Sequence, residues 1–559
     1  MKNIFLFLFL FLSICSCSRK EDSQNIFHYN EAQGIENLDP VMSSNYPAIW
    51  PLMQSMEGLV QFDKDMNLQA LLAESRSISD DGLVYTFNIN KNVYFHDDEC
   101  FPDGKGRKLT SYDFKYCFER ICDPRTKTRG SWLFRDRVKG AIEYINSIQS
   151  GNLPQVNDVK EISGIQCLDS FTLVITLTKP FAPFLSILTM AYAFVYPHEA
   201  VEYYKENFGY HPVGTGQYKF VKWEFDKELV FEKNQNYWKK NKTGNPLVYL
   251  DGFKVTFTRS PETEFLDFKE GKLDYYSPSP EVLSQITDEN GKLLAQYDFE
   301  MIKQPWLNTV YLAVQLDKNM PGGKNNILTD NKKLRKAISY AIDREKIVKY
   351  VLKFKGIPAE NGPIPIGMPG YSKDVIGYKY DKDKAAKLLD EAGYPNGKGL
   401  SLKLTISNEE TQKLIGEAVQ AQLKDVGIDL QLDFIQGSTL RSSQVGGELA
   451  FWRANWGADY FDPENFMALF YSKNKTPNGP NYTHYSTPKT DSLYDLGMRE
   501  TDFAKRKVIY NEMERIVMED APWILLIYNE VIYLKSKRIQ NMYIDGLNNL
   551  VLRWAKMEG

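Results

Sequence analysis

The residues best placed to do chemistry lie in the segment 451–466, FWRANWGADYFDPENF. If the chain is extended here, side chains at alternate positions share a face. Arg453, Asn455, Gly457 and Asp459 then offer a cation, an amide, an open backbone and a carboxylate in one row. Such a row can bind both ends of a zwitterionic peptide, because it supplies an acceptor for an ammonium group and a donor for a carboxylate. The alternative is that Arg453 and Asp459 form structural salt bridges.

Catalytic and metal-binding motifs are absent from the sequence. It has no P-loop, no GxGxxG and no GxSxG, and its five histidines are far apart. His198 and Glu199 begin like a zincin motif, but no second histidine follows at the required spacing. Asp63, Asp65, Asn67 and Glu74 match calcium-loop positions, but Leu68 stands where the sharp turn requires glycine. We therefore expect a protein that is not an enzyme and that holds no metal or cofactor.

The composition is that of a soluble globular protein. The chain has 559 residues, 43% hydrophobic and 25% charged, which suggests three or four domain-sized units. Lys and Arg number 68 and Asp and Glu number 72, for a net charge of −4. Because nucleic-acid binders usually carry a basic excess, we expect no nucleic-acid partner. We also expect a monomer.

The amino terminus has the pattern of an export signal. Lys2 precedes an apolar run at residues 4–12, which is too short to span a bilayer, and small residues follow. The letters ICSC resemble the lipobox of bacterial lipoproteins, and Cys17 fits the lipidated position better than Cys15 because Ser16 precedes it. We predict a signal peptide at 1–16, a lipidated tether at 17–25, and attachment to a bacterial membrane in the periplasm or at the cell surface. A plain secretory signal is the alternative.

Four further cysteines fall in one third of the chain: Cys100, Cys117, Cys122 and Cys167. Export permits disulfides, but four cysteines allow three pairings and free buried thiols are equally compatible with the sequence.

Helical and strand patterns alternate along the chain. Residues 332–352 predict one long amphipathic helix, with Asp330 near its start. Residues 400–407 and 428–435 read as strands on either side of a helix that ends at Gly427. This strand–helix–strand order is typical of a mostly parallel sheet, and the fold class is α/β.

Several blocks, taken in order, resemble one protein family. They are LLAESRSISDDGLVYTFNINKNVYFHD with LTSYDFKYCFERICDP, then PVGTGQYKFVKWEFDKELVFEKNQNYW, LRKAISYAIDREKIVKYVL with GPIPIGMPGY, YDKDKAAKLLDEAGYPNGKGLSLKLTIS, and WGADYFDPENF. From about residue 30 to 530 the chain is thus similar to the solute-binding proteins of peptide-type ABC importers, the oligopeptide- and dipeptide-binding family 5. One departure is the longer, charged stretch DECFPDGKGRK.

The resemblance implies a two-lobed periplasmic-binding-protein clamshell with an extra inserted domain. Domain I comprises 26–62, 196–302 and 522–559, domain II comprises 63–195, and domain III comprises 303–521. The crossings between lobes are expected near 300–305 and 515–525. The ligand would be trapped between the lobes, because closure makes contacts to both faces of the ligand at once.

The resemblance also assigns roles to the site residues. Asp459 occupies the position that accepts the ligand α-ammonium, Arg453 stands where an arginine meets the ligand carboxylate, and Trp456 walls the pocket. The ligand main chain would pair with protein strands, which gives affinity without reading side chains, and water-filled pockets would tolerate many sequences. Further candidates for ligand contact are Tyr482 and His484 in NGPNYTHYS, Glu57 in MEGLV, and Tyr46.

The function that the resemblance implies is capture of peptides with a free amino terminus outside the cytoplasmic membrane and their delivery to an ABC permease and ATPase complex. Three alternatives remain at this point. The same scaffold can bind a nickel complex, haem or an oligosaccharide; the chain can be a surface adhesin or receptor without a transporter; or it can be an exported hydrolase.

Overall fold

The computed structural model describes residues 25–149 and 160–558. The predicted signal peptide, Cys17 and all but the last residue of the predicted tether lie outside these residues. Within them, no helix combines the length and apolar character needed to cross a bilayer.

The first lobe is built on two four-stranded sheets. In one, the amino-terminal strand pairs in parallel with a later strand, which continues antiparallel into a hairpin, so distant parts of the chain meet. The other sheet is fully antiparallel and lies within one continuous stretch of chain. The strands, in sheet order, are Ile26–Asn30, Gly252–Thr256, Glu228–Lys233 and Tyr218–Glu224, and then Ala73–Ile78, Val84–Ile89, Thr172–Thr176 and Ile165–Asp169.

A seven-stranded sheet extends through the second lobe. Two of its strands are long, Glu300–Val314 and Trp523–Lys535, and we call them the first and second hinge strands. They pair antiparallel with each other, and the remaining strands flank them. Those strands are Tyr275–Tyr276, Phe451–Gly457, Ser401–Ser407 and Asp429–Ile435, with Ile357–Pro358 also paired to the second hinge strand.

The hinge strands connect the hydrophobic cores of the two lobes. Buried residues from 27 to 257 and from 531 to 555 form most of one core, whereas residues 307–528 supply two others. The register between the hinge strands shifts between Pro305 and Thr309, opposite Glu530 and Tyr528. The second crossing between the lobes is predicted at 515–525, which lies before this register shift in the chain. Residues 515–520 belong to a helix. The domain boundaries themselves remain predictions.

Helices cover the sheets and several begin at side-chain caps. The helix Ser111–Cys122 starts with a capping box in which Thr110 and Asp113 bond each other's backbone amides. The α-helices are Tyr46–Ser55, Ser111–Cys122, Ala141–Gln149, Phe184–Ile187, His198–Tyr204, Pro261–Lys269, Pro280–Ile286, Ile327–Asp330, Lys332–Ala341, Arg344–Lys346, Lys382–Glu391, Glu410–Lys424, Gly437–Val445, Glu464–Met467, Pro488–Arg499 and Phe503–Asp520. The strands on either side of Glu410–Lys424 pair in parallel, as the sequence predicts.

The single long helix predicted over 332–352 is wrong. The helix Lys332–Ala341 is capped by Asn331 rather than Asp330, and Ile342 is extended. A new helical segment starts at Arg344, followed by a π-helical turn. The break is held by Arg344, whose buried guanidinium donates to the carbonyl oxygens of Ser339 and Ile342, each at 3.0 Å, and of Leu525 at 2.7 Å.

The four cysteines form no disulfide, and the calcium-loop-like segment that begins at Asp63 is a turn. Cys100, Cys117, Cys122 and Cys167 are all free. Asp63 accepts hydrogen bonds from the backbone amides of Asp65 and Asn67, which closes a turn. No group of three or more His, Cys, Asp or Glu side chains in the described parts of the chain could hold a metal ion.

Arg344→Met is expected to lower the free energy of unfolding by roughly 2–4 kcal/mol, because three buried carbonyl groups lose their donor. Chemical denaturation measures the loss. Lys349→Met is the control, since Lys349 is an exposed cation on the following turn. Equal stability of the two variants would contradict a bracing role for Arg344.

Candidate functional site

The site is organised by the strand Phe451–Gly457, which we call the site strand. One edge pairs along its full length with the first hinge strand, from Val314 opposite Phe451 to Asn308 opposite Gly457. On the other edge, the strand Ser401–Ser407 pairs with it at Trp452 alone. Among the described residues, positions 453–457 therefore have no strand partner on that edge.

The alternation predicted for the site strand is present. Arg453 Nη1 donates to Asn455 Oδ1 at 3.2 Å, so these two side chains lie on the same face. The residues predicted for the other face pack into one apolar core. They are Trp452, Ala454, Trp456 and Ala458.

Arg453 is a cation without an ionic partner. In the described chain no carboxylate lies within 4 Å of its guanidinium, and Nε has no hydrogen-bond partner although that atom is buried. Burial lowers the pKa of Arg453 to about 10, and the nearby Glu409 and Tyr311 only partly oppose this effect. Arg453 and Asp459 form no salt bridge with each other. Arg453, Asn455 and Gly457 line neither of the two cavities described below, so ligand contact at these three positions stays a prediction.

Asp459 lies just beyond the site strand and is enclosed by both lobes. Its side chain is accessible to the cavities around it, yet no cation in the described residues lies within 4 Å. The side chain is exposed to the cleft, but the protein atoms around it partly desolvate the carboxylate, and this raises the pKa of Asp459 to about 6. A hydrogen bond from Asn465 and the positive charge of Arg441 oppose the rise without cancelling it.

Two cavities meet at Asp459. The small cavity has a volume of about 220 Å³ and is lined mainly by the first lobe, including Tyr46 and Glu57. The large cavity has a volume of about 1190 Å³ and lies between the lobes, with Trp456 in its wall. Among the described residues, Asp459 alone lines both.

Asn465 holds Trp456 and Asp459, two residues that line the large cavity, through hydrogen bonds. Its Oδ1 accepts hydrogen bonds from Trp456 Nε1 at 2.8 Å and from the backbone N–H of Asp459 at 3.3 Å. The intervening turn is anchored by a buried ion pair between Asp462 and Arg506, with 2.7 Å between Oδ2 and Nη2. The sequence analysis missed Asn465 and Arg506, although Asn465 stands within the quoted segment DPENF.

Tyr46 and Tyr482 both lie near Asp459. Burial raises the pKa of Tyr46 to about 12, and the negative charges of Asp459 and Asp545 add to the rise. Its ring packs edge-on against Trp306, with 6.3 Å between centroids. Burial also raises the pKa of Tyr482, to which the charge of Asp459 contributes. Tyr46 lines the small cavity, whereas Tyr482 lines neither cavity.

Glu57 and His484 are occupied by the protein itself. Glu57 lines the small cavity, but its buried carboxylate accepts hydrogen bonds from Thr215, Tyr237 and Trp238 at 2.8–3.0 Å.

His484 is buried outside both cavities, and its Nε2 lies 2.9 Å from Thr476 Oγ1. Ligand contact at Glu57 and His484 stays a prediction, and both side chains already have protein partners.

Aromatic side chains of the two lobes meet beside both cavities. The rings of Phe62 and Phe461 meet edge-on with centroids 5.5 Å apart, and Trp132 packs on Tyr460 at 6.2 Å. Phe62 lines the small cavity, and Trp132 and Tyr460 line the large one.

Comparison with known proteins shows which protein family this chain matches. The family described as bacterial extracellular solute-binding proteins, family 5 Middle, matches residues 67–478. Glutathione-binding protein GsiB of Pectobacterium atrosepticum is 27% identical over 515 residues, which cover 91% of this chain and 89% of that protein. Heme-binding protein A of Haemophilus influenzae is 27% identical over 517 residues, covering 90% and 87%.

A solved structure supports the same grouping. The crystal structure of a periplasmic oligopeptide-binding protein of an oligopeptide ABC transporter from Borrelia burgdorferi superposes with a TM-score of 0.71 at 26% identity. The match covers 95% of this chain and 100% of that one. The predicted two-lobed α/β fold is thereby confirmed.

Asp459→Asn is expected to raise the melting temperature of the ligand-stripped protein at pH 7. The folded pKa of about 6 exceeds the ordinary value of 3.8, so stability from this group is present below pH 3.8 and is lost as the pH rises through 6. Asparagine has no charge to ionise, so the variant keeps the stability that the parent protein loses as Asp459 ionises. At pH 4 the two proteins should melt together. Scanning calorimetry at both pH values, with the exposed Asp136→Asn as control, checks this; a lower melting temperature at pH 7 would contradict it.

Proposed function

We propose, from the premise that this chain belongs to the bacterial extracellular solute-binding proteins of family 5, that it captures peptides with a free amino terminus and delivers them to an ABC importer. Members of this family work outside the cytoplasm, and the homologues are solute-binding components of transporters rather than enzymes. Peptides as cargo, the permease as partner and the lipid anchor are our proposals.

The observation that carries the proposal is the unpaired carboxylate of Asp459 between the two lobes. An ammonium group enclosed without a partner costs several kcal/mol, so closure around a peptide requires a carboxylate at its amino end. Asp459 lacks a cation of its own and stands where the two cavities join. A ligand ammonium would supply the missing charge.

Arg453 supports the opposite end of the same ligand. Its guanidinium has no carboxylate partner, and it lies six residues before Asp459, in a strand that ends at Gly457. Six extended residues reach about 20 Å, the length of a short extended peptide. A peptide whose amino end meets Asp459 and whose carboxylate meets Arg453 would run antiparallel to the site strand.

The free edge of the site strand supports recognition through the main chain. Positions 453–457 lack a strand partner on one edge, so a ligand backbone can add there as a further strand. Affinity then comes from main-chain hydrogen bonds, and cargo of varied sequence is acceptable. Glutathione, the cargo in the name of one relative, is itself a tripeptide.

Asp459→Ala is expected to weaken binding of an unblocked tripeptide by roughly 3 kcal/mol or more. N-acetylation of the tripeptide should weaken binding to the parent protein by a similar amount and have little further effect in the variant. Calorimetric titration measures both. Asp136→Ala, an acid of the large cavity that is paired with Arg135, is the control and should bind normally.

Equal affinity of the parent protein for blocked and unblocked peptides would remove the role given to Asp459. Native mass spectrometry of the purified protein identifies the cargo directly. Haem, a nickel complex or an oligosaccharide as the retained ligand would contradict the choice of peptides.

Cys17→Ser is expected to abolish incorporation of a labelled fatty acid and to release the protein into the aqueous phase of a detergent partition, because the acyl chains are the proposed anchor. Cys15→Ser is the matched control and should remain labelled. Labelling that persists without Cys17 but disappears without Cys15 would move the anchor to Cys15.

A further inference from the structure

The lining of the large cavity has an excess of positive charge. Among the described residues that line it, six side chains are cationic and four are carboxylates. The cations come from both sides of the cleft: Lys127, Arg135, Arg137 and Lys179 from the first lobe, and Lys473 and Arg499 from the second.

Three of the four carboxylates already have partners in the protein, and the fourth is Asp459. The occupied groups and their partners are Asp136 with Arg135 at 3.0 Å, Asp495 with Lys473 at 3.9 Å, and Glu464 with the hydroxyl groups of Tyr460 and Tyr494. None of these three is available to neutralise another cation fully.

Four cations of the cavity are left without an acid. Within the described chain, no carboxylate lies within 4 Å of the charged groups of Lys127, Arg137, Lys179 or Arg499. Three of these side chains are exposed, whereas Arg137 is half-buried.

Arg137 is held in a fixed orientation. Its guanidinium carbon lies 4.5 Å from the ring centroid of Phe181 and 5.8 Å from that of Trp132. One nitrogen, Nη1, donates to the carbonyl oxygen of Trp132. The other N–H groups have no protein acceptor in the described structure, so they remain for a ligand in the cavity that Arg137 lines.

Arg137 is also near the amino-terminal subsite. Burial and the adjacent Glu464 raise the pKa of Tyr460, the neighbour of Asp459, and the charge of Arg137 partly opposes that rise. A peptide that leaves Asp459 and enters the large cavity would therefore pass Arg137 early.

We propose that this cavity selects anionic peptides, and that the guanidinium of Arg137 binds a carboxylate side chain of the cargo. The inference rests on the proposed function and refines its substrate class. A planar guanidinium with free N–H groups can bind a carboxylate in a bidentate manner. Lys179 and Arg499 strengthen the attraction from opposite lobes, so an acidic side chain also favours closure.

The test compares three unblocked tripeptides that differ at one side chain: Ala-Glu-Ala, Ala-Gln-Ala and Ala-Lys-Ala. Calorimetric titration of ligand-stripped protein at low ionic strength is expected to rank them in that order, with glutamate at least tenfold tighter than glutamine. The ratio should shrink in 0.5 M salt, because the interaction is between charges.

Arg137→Gln is expected to reduce the glutamate-to-glutamine ratio to less than threefold while binding Ala-Gln-Ala normally, which also shows that the variant is folded. Lys139→Gln is the matched control: Lys139 is an exposed cation of the same segment that does not line the cavity, and its loss should leave the ratio unchanged. Arg499→Gln should reduce the ratio partly.

Equal affinity of the parent protein for Ala-Glu-Ala and Ala-Gln-Ala overturns this inference and leaves the proposed function standing. Weakening of both peptides to the same extent in Arg137→Gln, with Lys139→Gln unaffected, overturns the selective role of Arg137. Failure of all three peptides to bind, with Ala-Gln-Ala included, overturns the proposed function itself.

Discussion

The candidate site depends on the cost of ionising a carboxylate that protein atoms surround without a cation beside it. Asp459 is in that condition, and its raised pKa reports the cost. The surrounding structure keeps the group in place despite this cost. Asn465 binds the backbone of Asp459 and the indole of Trp456, and the buried pair of Asp462 and Arg506 anchors the turn between them. These residues hold the carboxylate in a position where a positively charged ligand group would lower the cost of its ionisation.

The hinge strands connect the lobe that contains Asp459 to the other lobe. They run through both halves of the molecule and change register at Pro305–Thr309, where regular pairing is interrupted. Farther along, Tyr311 stacks on Trp523, which ties the two strands together inside the second lobe. A second register shift falls between Val310 and Tyr311, so the pairing of the two strands is irregular at two places near the junction of the lobes.

Local patterns in the sequence predicted much of the fold and part of the site. Alternation over 451–457 placed Arg453 and Asn455 on one face, and the strand Ser401–Ser407 pairs in parallel as expected. The break at Ile342 was missed because it is held by Arg344, which bonds a carbonyl group far away in the chain. Asn465 was likewise unremarkable in the sequence, since its role comes from two hydrogen bonds that exist only after the turn forms.

Two weaker candidates from the sequence show the same limit. Three donors from a distant segment occupy the carboxylate of Glu57. His484 packs inside its own loop. Ligand contact at these positions stays a prediction, since the residue type alone does not show which protein partners each side chain has. Arg137 shows the opposite case. The sequence did not predict a role for it, and the described chain places no carboxylate near its guanidinium, which leaves N–H groups for a ligand.

The open edge of the site strand has a consequence for molecular handedness. A ligand that pairs with this edge must offer backbone amide groups for hydrogen bonding. Its side chains must also leave the backbone in alternate directions, because the side chains of a pleated strand alternate between its two faces. A proline, an N-methyl group or a D-residue at a paired position removes a donor or turns a substituent into the wall. On the proposed function, a peptide with such a residue would bind weakly, whereas exchange of one ordinary L-residue for another would leave binding largely unchanged.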